Sequence, residues 1–215
     1  MGKIRFLATG DFHSDSRFLD EIEKNVVLDE IDFVFLTGDI SEKKDDFEKL
    51  LGLFKGKQIF MVPGNHESKR SLDVLKEHYG VELLGNRPVL LHDDLAIFGT
   101  NYLNIGPHGI PEEEVFKNLL ANFNSIKNVK RKVMLAHIPP IETKIGNGSP
   151  FHPFIGGSMA TRAFLEEFSP DYALVGHIHE TSGLEEIVNK TKVVNVAQTF
   201  KVFEFDVESC ELKLL

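Results

Sequence analysis

Eight residues of this chain are better suited to chemistry than to packing: Asp11, His13, Asp39, Asn65, His66, His137, His177 and His179. Carboxylates, imidazoles and amide oxygens bind divalent metals, and imidazoles also carry protons. Asp11-Phe12-His13 and His177-Ile178-His179 each hold two polar residues one position apart, so in an extended turn both can lean the same way. Gly10, Gly38, Gly64 and Gly176 stand immediately before four of these positions and permit either a tight turn or close backbone approach. Two Asp, four His and one Asn exceed the four ligands of a tetrahedral zinc. Two metals sharing a carboxylate fit that count better. Two divalent cations outweigh two carboxylates by about two charges, which leaves room for hydroxide and an anionic substrate, and such a pair clamps the attacking and leaving oxygens of a phosphoryl transfer.

Those residues need a frame that brings them together. Short apolar runs at Ile4 to Ala8, Phe33 to Leu36, Ile59 to Val62, Leu95 to Phe98, Val133 to Ala136 and Tyr172 to Val175 read as buried strands. Five of the six end in the residues named above. Phe18, Leu19, Ile22 and Val26 form one helical stripe, Phe47, Leu50, Leu51 and Phe54 a second, and Val115, Phe116, Leu119, Leu120 and Phe123 a third, opened by Pro111 and three acidic residues. Strand and helix alternate as in an α/β fold, where sites form at the carboxyl ends of strands. Phe203, Phe205 and Val207, then Cys210, Leu212 and Leu214, predict an antiparallel hairpin turning at Glu208-Ser209. No Pro/Gly/Ser linker divides the chain, so one domain over 1–215 is expected. The stretch 138–157, with four Gly and four Pro, is too long for a plain connector.

Composition narrows the classes further. The chain has 215 residues, 42% of them apolar and 27% charged, which excludes a disordered or fibrous protein. Lys and Arg number 24 against 33 Asp and Glu, a net charge of −9, and an acidic surface argues against long nucleic acids as partners. No apolar run approaches a membrane span, and the N-terminal run is too short for a signal peptide. One cysteine, Cys210, forms no internal disulfide and no Cys-rich zinc site. A cytoplasmic location is the expectation, with no membrane partner.

The blocks Asp11-Phe12-His13, Gly38-Asp39, Gly64-Asn65-His66-Glu67, His137 and Gly176-His177-Ile178-His179, in this order, closely resemble the calcineurin-like metallophosphoesterases. The resemblance implies a four-layer α/β/β/α sandwich of two mixed sheets flanked by helices. It assigns Asp11, His13, Asp39 and His179 to one metal and Asp39, Asn65, His137 and His177 to a second, with Asp39 bridging. His66 is then no ligand but a catalytic group at the leaving oxygen. The implied activity is hydrolysis of a phosphodiester or a small phosphomonoester, nucleotides included, by in-line attack of hydroxide shared between the metals. His, Asp and Asn suit Mn, Fe, Zn or Co. Glu42 and Lys43 occupy places where some relatives carry an Asp that orients the non-ligand His and an Arg that grips phosphate; Lys lacks the bidentate fork of Arg. Two other roles share this resemblance, a protein-binding scaffold and a DNA nuclease. The complete ligand set speaks against the first and the acidity against the second.

Taken singly, Gly-Asp and Gly-Asn pairs are ordinary turn chemistry and a lone His is ordinary core or surface. Their joint order at strand ends carries the reading. His78, His92 and His108 read as helix-end, turn and loop residues. His152, Asn101 and Tyr102 have a modest claim to the substrate pocket, because loops on a rigid scaffold carry specificity.

Overall fold

The computed structural model describes residues 2–13, 17–41, 44–101, 103, 109–147 and 156–215; Glu42, Lys43, Tyr102, His108 and His152 lie outside the described residues. The chain runs β1 (Lys3–Thr9), α1 (Arg17–Asn25), β2 (Phe33–Leu36), α2 (Lys44–Leu53), β3 (Gln58–Met61), α3 (Lys69–Tyr79), β4 (Glu82–Leu83), β5 (Val89–His92) and β6 (Leu95–Gly99). It continues through α4 (Glu112–Ser125), β7 (Arg131–Leu135), α5 (Met159–Phe168), β8 (Tyr172–Val175), β9 (Glu185–Val188), β10 (Thr191–Asn195), β11 (Phe200–Asp206) and β12 (Glu211–Leu214). The six expected strands are β1, β2, β3, β6, β7 and β8, and the three stripes are α1, α2 and α4.

The strands form two six-stranded sheets, β12-β11-β1-β2-β3-β4 and β5-β6-β7-β8-β10-β9. Each has a parallel centre, β1 to β4 in the first and β6, β7, β8 and β10 in the second, with antiparallel strands outside it. Parallel strands are buried on both faces, which explains their unbroken apolar runs. Alternation along β1 shows how the layers are fed: Phe6 and Ala8 enter the core between the sheets, while Leu7 faces the helices. Phe6, Phe35 and Phe203 meet there, with ring centroids 4.5 Å (Phe6 to Phe35) and 4.9 Å (Phe6 to Phe203) apart. Full burial of such a ring contributes roughly 1.5–3 kcal/mol. The first sheet packs its other face on Leu19, Ile22, Phe47, Leu50 and Leu75 of α1 to α3 and on Phe54 just after α2; the second packs on Val115, Leu119, Phe164 and Leu165 of α4 and α5. The order of layers is helix, sheet, sheet, helix.

Local signals fix the helix ends. The Ser68 hydroxyl accepts from Ser71 N at the start of α3, and Gly80 ends it at φ 68°. The hydroxyl of Ser158 caps α5, and the Glu112 carboxylate, reaching over from α4, accepts from the Ser158 hydroxyl and from Met159 N and Ala160 N. The predicted hairpin exists as β11 and β12, but its turn differs from expectation. Asp206 pairs with Glu211, so the connection is 207–210 rather than two residues. One oxygen of Asp206 accepts from Glu208 N, Ser209 N and the Ser209 hydroxyl, and Cys210 takes φ 54°, which together favour the longer loop. No helix among the described residues is long and apolar enough to cross a membrane.

Candidate metal centre

Parallel strands from both sheets end at one place. Asp11 and His13 follow β1, Asp39 follows β2, Asn65 and His66 follow β3, His137 follows β7, and His177 and His179 follow β8. Four of these side chains sit on left-handed backbone: Asp11 at φ 57°, His13 at 41°, Asp39 at 51° and His177 at 68°. Such residues cost on the order of 1–3 kcal/mol each when not glycine, although Asp and His tolerate the region better than most. Hydrogen bonds hold them there. Asp11 N donates to Gly38 O at 2.9 Å and His13 N to Asp39 O at 3.3 Å, while Ile178 N donates to Gly176 O at 2.8 Å and closes a three-residue turn on His177.

The glycines divide between the two roles expected of them. Gly38 turns the chain at φ 96°, whereas Gly10, Gly64 and Gly176 make room. A Cβ on Gly64 would lie 2.1 Å from Asp39 Oδ1, and one on Gly176 would lie 2.3 Å from Asp11 Oδ2. Each of these two carboxylates therefore rests on a glycine of a neighbouring loop.

The side-chain atoms converge. Asp39 Oδ2 lies 3.5 Å from His13 Nε2 and 3.4 Å from His137 Nε2, so one oxygen faces both candidate ligand sets. The other, Oδ1, accepts from His66 N at 2.9 Å. Asn65 Oδ1 is 3.0 Å from His137 Nε2, and His179 Nε2 is 3.2 Å from Asp11 Oδ1. Candidate ligand atoms of Asp11, His13 and His179 lie within 4.8 Å of one another, as do those of Asp39, His137 and His177. His66 forms a third such group with His13 and Asp39, and its ring stands edge-on to that of His13 with centroids 4.9 Å apart. Asn101, by contrast, packs against Gly85 after β6, and no bond from it to these residues occurs among the described residues.

The charges are tightly coupled. Burial opposes ionisation of Asp39, but His137 and the His66 N–H hold its carboxyl far below the usual carboxylate range. Burial also favours neutral His137, yet Asp39 and Asp11 outweigh it and push the imidazole up to about 9. His177 moves the other way, to about 4, through burial and the nearby His137. Burial lowers His13 as well, whereas His179 is raised by its bond to Asp11.

These groups fit divalent cations. Asp11 Oδ2 is buried with no hydrogen-bond partner among the described residues, an expensive state for a carboxylate oxygen unless a cation compensates it. Thr37 O accepts from His137 Nδ1 at 2.7 Å, which fixes the tautomer and leaves Nε2 to coordinate. Two donors about 2.1 Å from one metal stand about 3.0 Å apart at a right angle and about 3.4 Å apart at a tetrahedral one. The observed 3.0, 3.2, 3.4 and 3.5 Å separations match that spacing.

The last residue of the Gly64-Asn65-His66-Glu67 run has a supporting role. Glu67 accepts from Asp39 N at 2.9 Å, Ile40 N at 2.7 Å and Gly64 N at 2.5 Å, tying the β2 and β3 loops together beneath their ligands. Burial, with Asp39 adding to it, raises its carboxyl. Its position three residues after Gly64, in a loop start rich in free N–H groups, was the available signal.

Comparison with known proteins gives the same picture. Residues 4–181 match the family model described as calcineurin-like phosphoesterase. An uncharacterised protein of Methanocaldococcus jannaschii is 29% identical over 173 residues, covering 76% of each chain. A solved structure from Thermus thermophilus aligns with TM-score 0.69 at 15% identity, over 100% of this chain and 99% of its own. A putative 5'-nucleotidase from Staphylococcus aureus aligns at 0.68 and 17%, over 100% of this chain and 53% of its own. The phosphopantetheinyl hydrolase of Mycobacterium tuberculosis aligns at 0.63 and 13%, over 91% and 89%. The structural likenesses speak for the fold, and the family match covers most of the chain. With its strand-end blocks inside the matched stretch, the chain belongs to the calcineurin-like phosphoesterase family and is a hydrolase of phosphoester bonds.

Proposed function

We propose that residues 1–215 form a single-domain, dinuclear metal-dependent phosphohydrolase of the cytoplasm that acts on a phosphodiester or a small phosphomonoester, nucleotides included. The observation that carries the reading is the shared oxygen of Asp39, which faces His13 at 3.5 Å and His137 at 3.4 Å. Asp11, His13, Asp39 and His179 would hold one cation and Asp39, Asn65, His137 and His177 the other, each drawn from Mn, Fe, Zn or Co. When bound, the pair supplies Lewis acidity toward phosphoryl oxygens and lowers the pKa of water toward neutrality. His66, exposed beside His13, is free to approach the leaving oxygen and donate a proton or positive charge. Glu67 and the Thr37 carbonyl hold Asp39 and His137 in place. The net charge of −9 disfavours long nucleic acids, so a small substrate suits the surface.

The test is a panel of activated phosphomonoesters, phosphodiesters and cyclic nucleotides, run with Mn²⁺, Fe²⁺, Zn²⁺ and Co²⁺. Asp39→Asn is expected to abolish turnover and cation uptake together, whereas His66→Ala is expected to keep two bound cations and lose about 10²–10⁴ in turnover. Near-normal hydrolysis of an aryl phosphodiester by Asp39→Asn in Mn²⁺ overturns the mechanism.

A further inference from the structure

We infer that Asn195, beyond the stretch matched by the family, is a positioning residue that sets the spacing of His177 and His179 and ties them to Asp11. The inference rests on reading those three residues as metal ligands. Asn195 ends β10, is fully buried, and touches none of the candidate ligand atoms. Its amide is used on both sides. Nδ2 donates to Ile178 O at 2.7 Å and to the Thr181 hydroxyl at 2.8 Å, and Oδ1 accepts from Ala197 N at 2.9 Å. Its backbone closes the same segment from the other direction, since Gly183 N donates to Asn195 O and Asn195 N to Leu184 O.

Ile178 is the residue between the two histidines. Its N–H is already committed to Gly176 O, which holds His177 on left-handed backbone at φ 68°. Fixing the Ile178 carbonyl as well determines the peptide that leads into His179. The Asn195 amide makes the shortest bond to that carbonyl, at 2.7 Å against 3.1 Å from the Thr181 hydroxyl and 3.3 Å from Thr181 N, and a donor at the centre of a strained turn acts on both flanking imidazoles at once. On its other side, Ala197 makes an isolated bridge with Gly10, and Gln198 N donates to Gly10 O. Gly10 precedes Asp11, whose Oδ1 accepts from His177 N at 3.0 Å and lies 3.2 Å from His179 Nε2. Asn195 thus stands where the crossover from the second sheet to the first meets the ligand turn.

The geometry demands two donors and one acceptor in one side chain. Leu keeps the volume and supplies neither; Asp keeps the acceptor toward Ala197 and loses both donors.

The experiment is Co²⁺ titration of metal-free wild type, Asn195→Leu, Asn195→Asp and Thr181→Val, followed by calorimetry and by the visible absorption of the bound ion, which reports its ligand geometry. Circular dichroism and thermal unfolding are recorded alongside. Loss of an outer contact to a metal ligand weakens binding about 10–100-fold. Asn195→Leu and Asn195→Asp are expected to fall in that range, with altered absorption and retained cooperative unfolding. Thr181→Val, on a partly exposed short helix, keeps the Asn195 bond to Ile178 O but loses the bonds of its own hydroxyl to Ile178 O and Ile145 O, and is expected to shift affinity less, in the same direction. Wild-type affinity and spectrum in the Asn195 variants overturn the positioning role alone. If the Asn195 variants fail to fold, an unchanged spectrum and affinity in Thr181→Val overturns it. A wild-type protein that binds no Co²⁺ overturns the metal reading itself, and the positioning role with it.

Discussion

His137 and His13 face the same oxygen of Asp39 at 3.4 and 3.5 Å, yet His137 is 0% exposed while 30% of the His13 side chain meets solvent. The donors on the two sides of Asp39 are alike; their surroundings are not. On the buried side, Thr37 O, Asn65 and Asp39 enclose the imidazole, and every polar atom must find a partner inside the protein. On the open side, His13 and His66 border water, and a phosphate can arrive without displacing the core. One half is built to retain a charge and the other to exchange one.

The strongest way to break this contrast is to attack what both halves share. Gly64→Ala pushes a methyl to within 2.1 Å of Asp39 Oδ1 and is expected to weaken both cations by more than about 100-fold, read by metal analysis after dialysis. Retention of two equivalents by that variant argues that Asp39 is not common to the halves. Next in size, His137→Ala should cost more than His13→Ala. It removes a buried ligand and strands the Thr37 carbonyl, a penalty of about 1–3 kcal/mol, so its metal-free melting temperature should fall while that of His13→Ala stays near wild type. A chelator should likewise strip one equivalent quickly and the other slowly; equal rates erase the distinction. Glu67→Gln should be milder. One end of an amide cannot accept, so part of the three-donor clamp is lost, and both cations should weaken alike, by about tenfold.

The smallest effect is one of pH. In metal-free protein, His137, raised from 6.5 to about 9, keeps a proton that the unfolded chain has released. Its contribution to stability is complete below pH 6.5 and is lost as pH rises through 9. His177, lowered to about 4, resists a proton that the unfolded chain accepts, so stability is also lost as pH falls from 6.5 toward 4. Bound cations take the place of the His137 proton. The melting temperature should therefore decline between pH 6.5 and 9 without metal and stay level with it. A level profile without metal indicates that His137 is not the charged member of the buried half.

The sequence was legible where one residue type or one periodicity decides the outcome. β2 and β8 coincide with their apolar runs because parallel central strands are apolar on both faces. That the seven candidate ligand positions and His66 come together at one place was legible because Asp, His and Asn at successive strand ends have few other uses. Helix α3 was passed over although Ser68 and Gly80 mark its ends, since Leu72, Leu75 and Tyr79 make a thin stripe among charges. Helix α5 and strands β4, β5 and β9 were also unassigned. α5 borrows part of its cap from Glu112 on another helix, and β9 carries two Glu in four residues. The supporting contacts were hidden for a different reason. Asn195 and the Thr37 carbonyl act through partners 17 and 100 positions away, which no local pattern encodes, whereas Glu67, which reaches 28 positions to Asp39, shows locally only in its place three residues after Gly64.

The pairing of β1 with β11 joins residues 3–9 to residues 200–206. A ribosome working at about 5–20 residues per second releases these two strands roughly 10–40 s apart. During that interval β1 can pair with β2, but its other edge stays open and the bridge between Gly10 and Ala197 has no second partner. Asp11, His13, Asp39 and Asn65 are thus all synthesised well before the strand that pairs the open edge of β1. Completion of the site's frame therefore waits on the last strands delivered, after most of the residues that line it have left the ribosome.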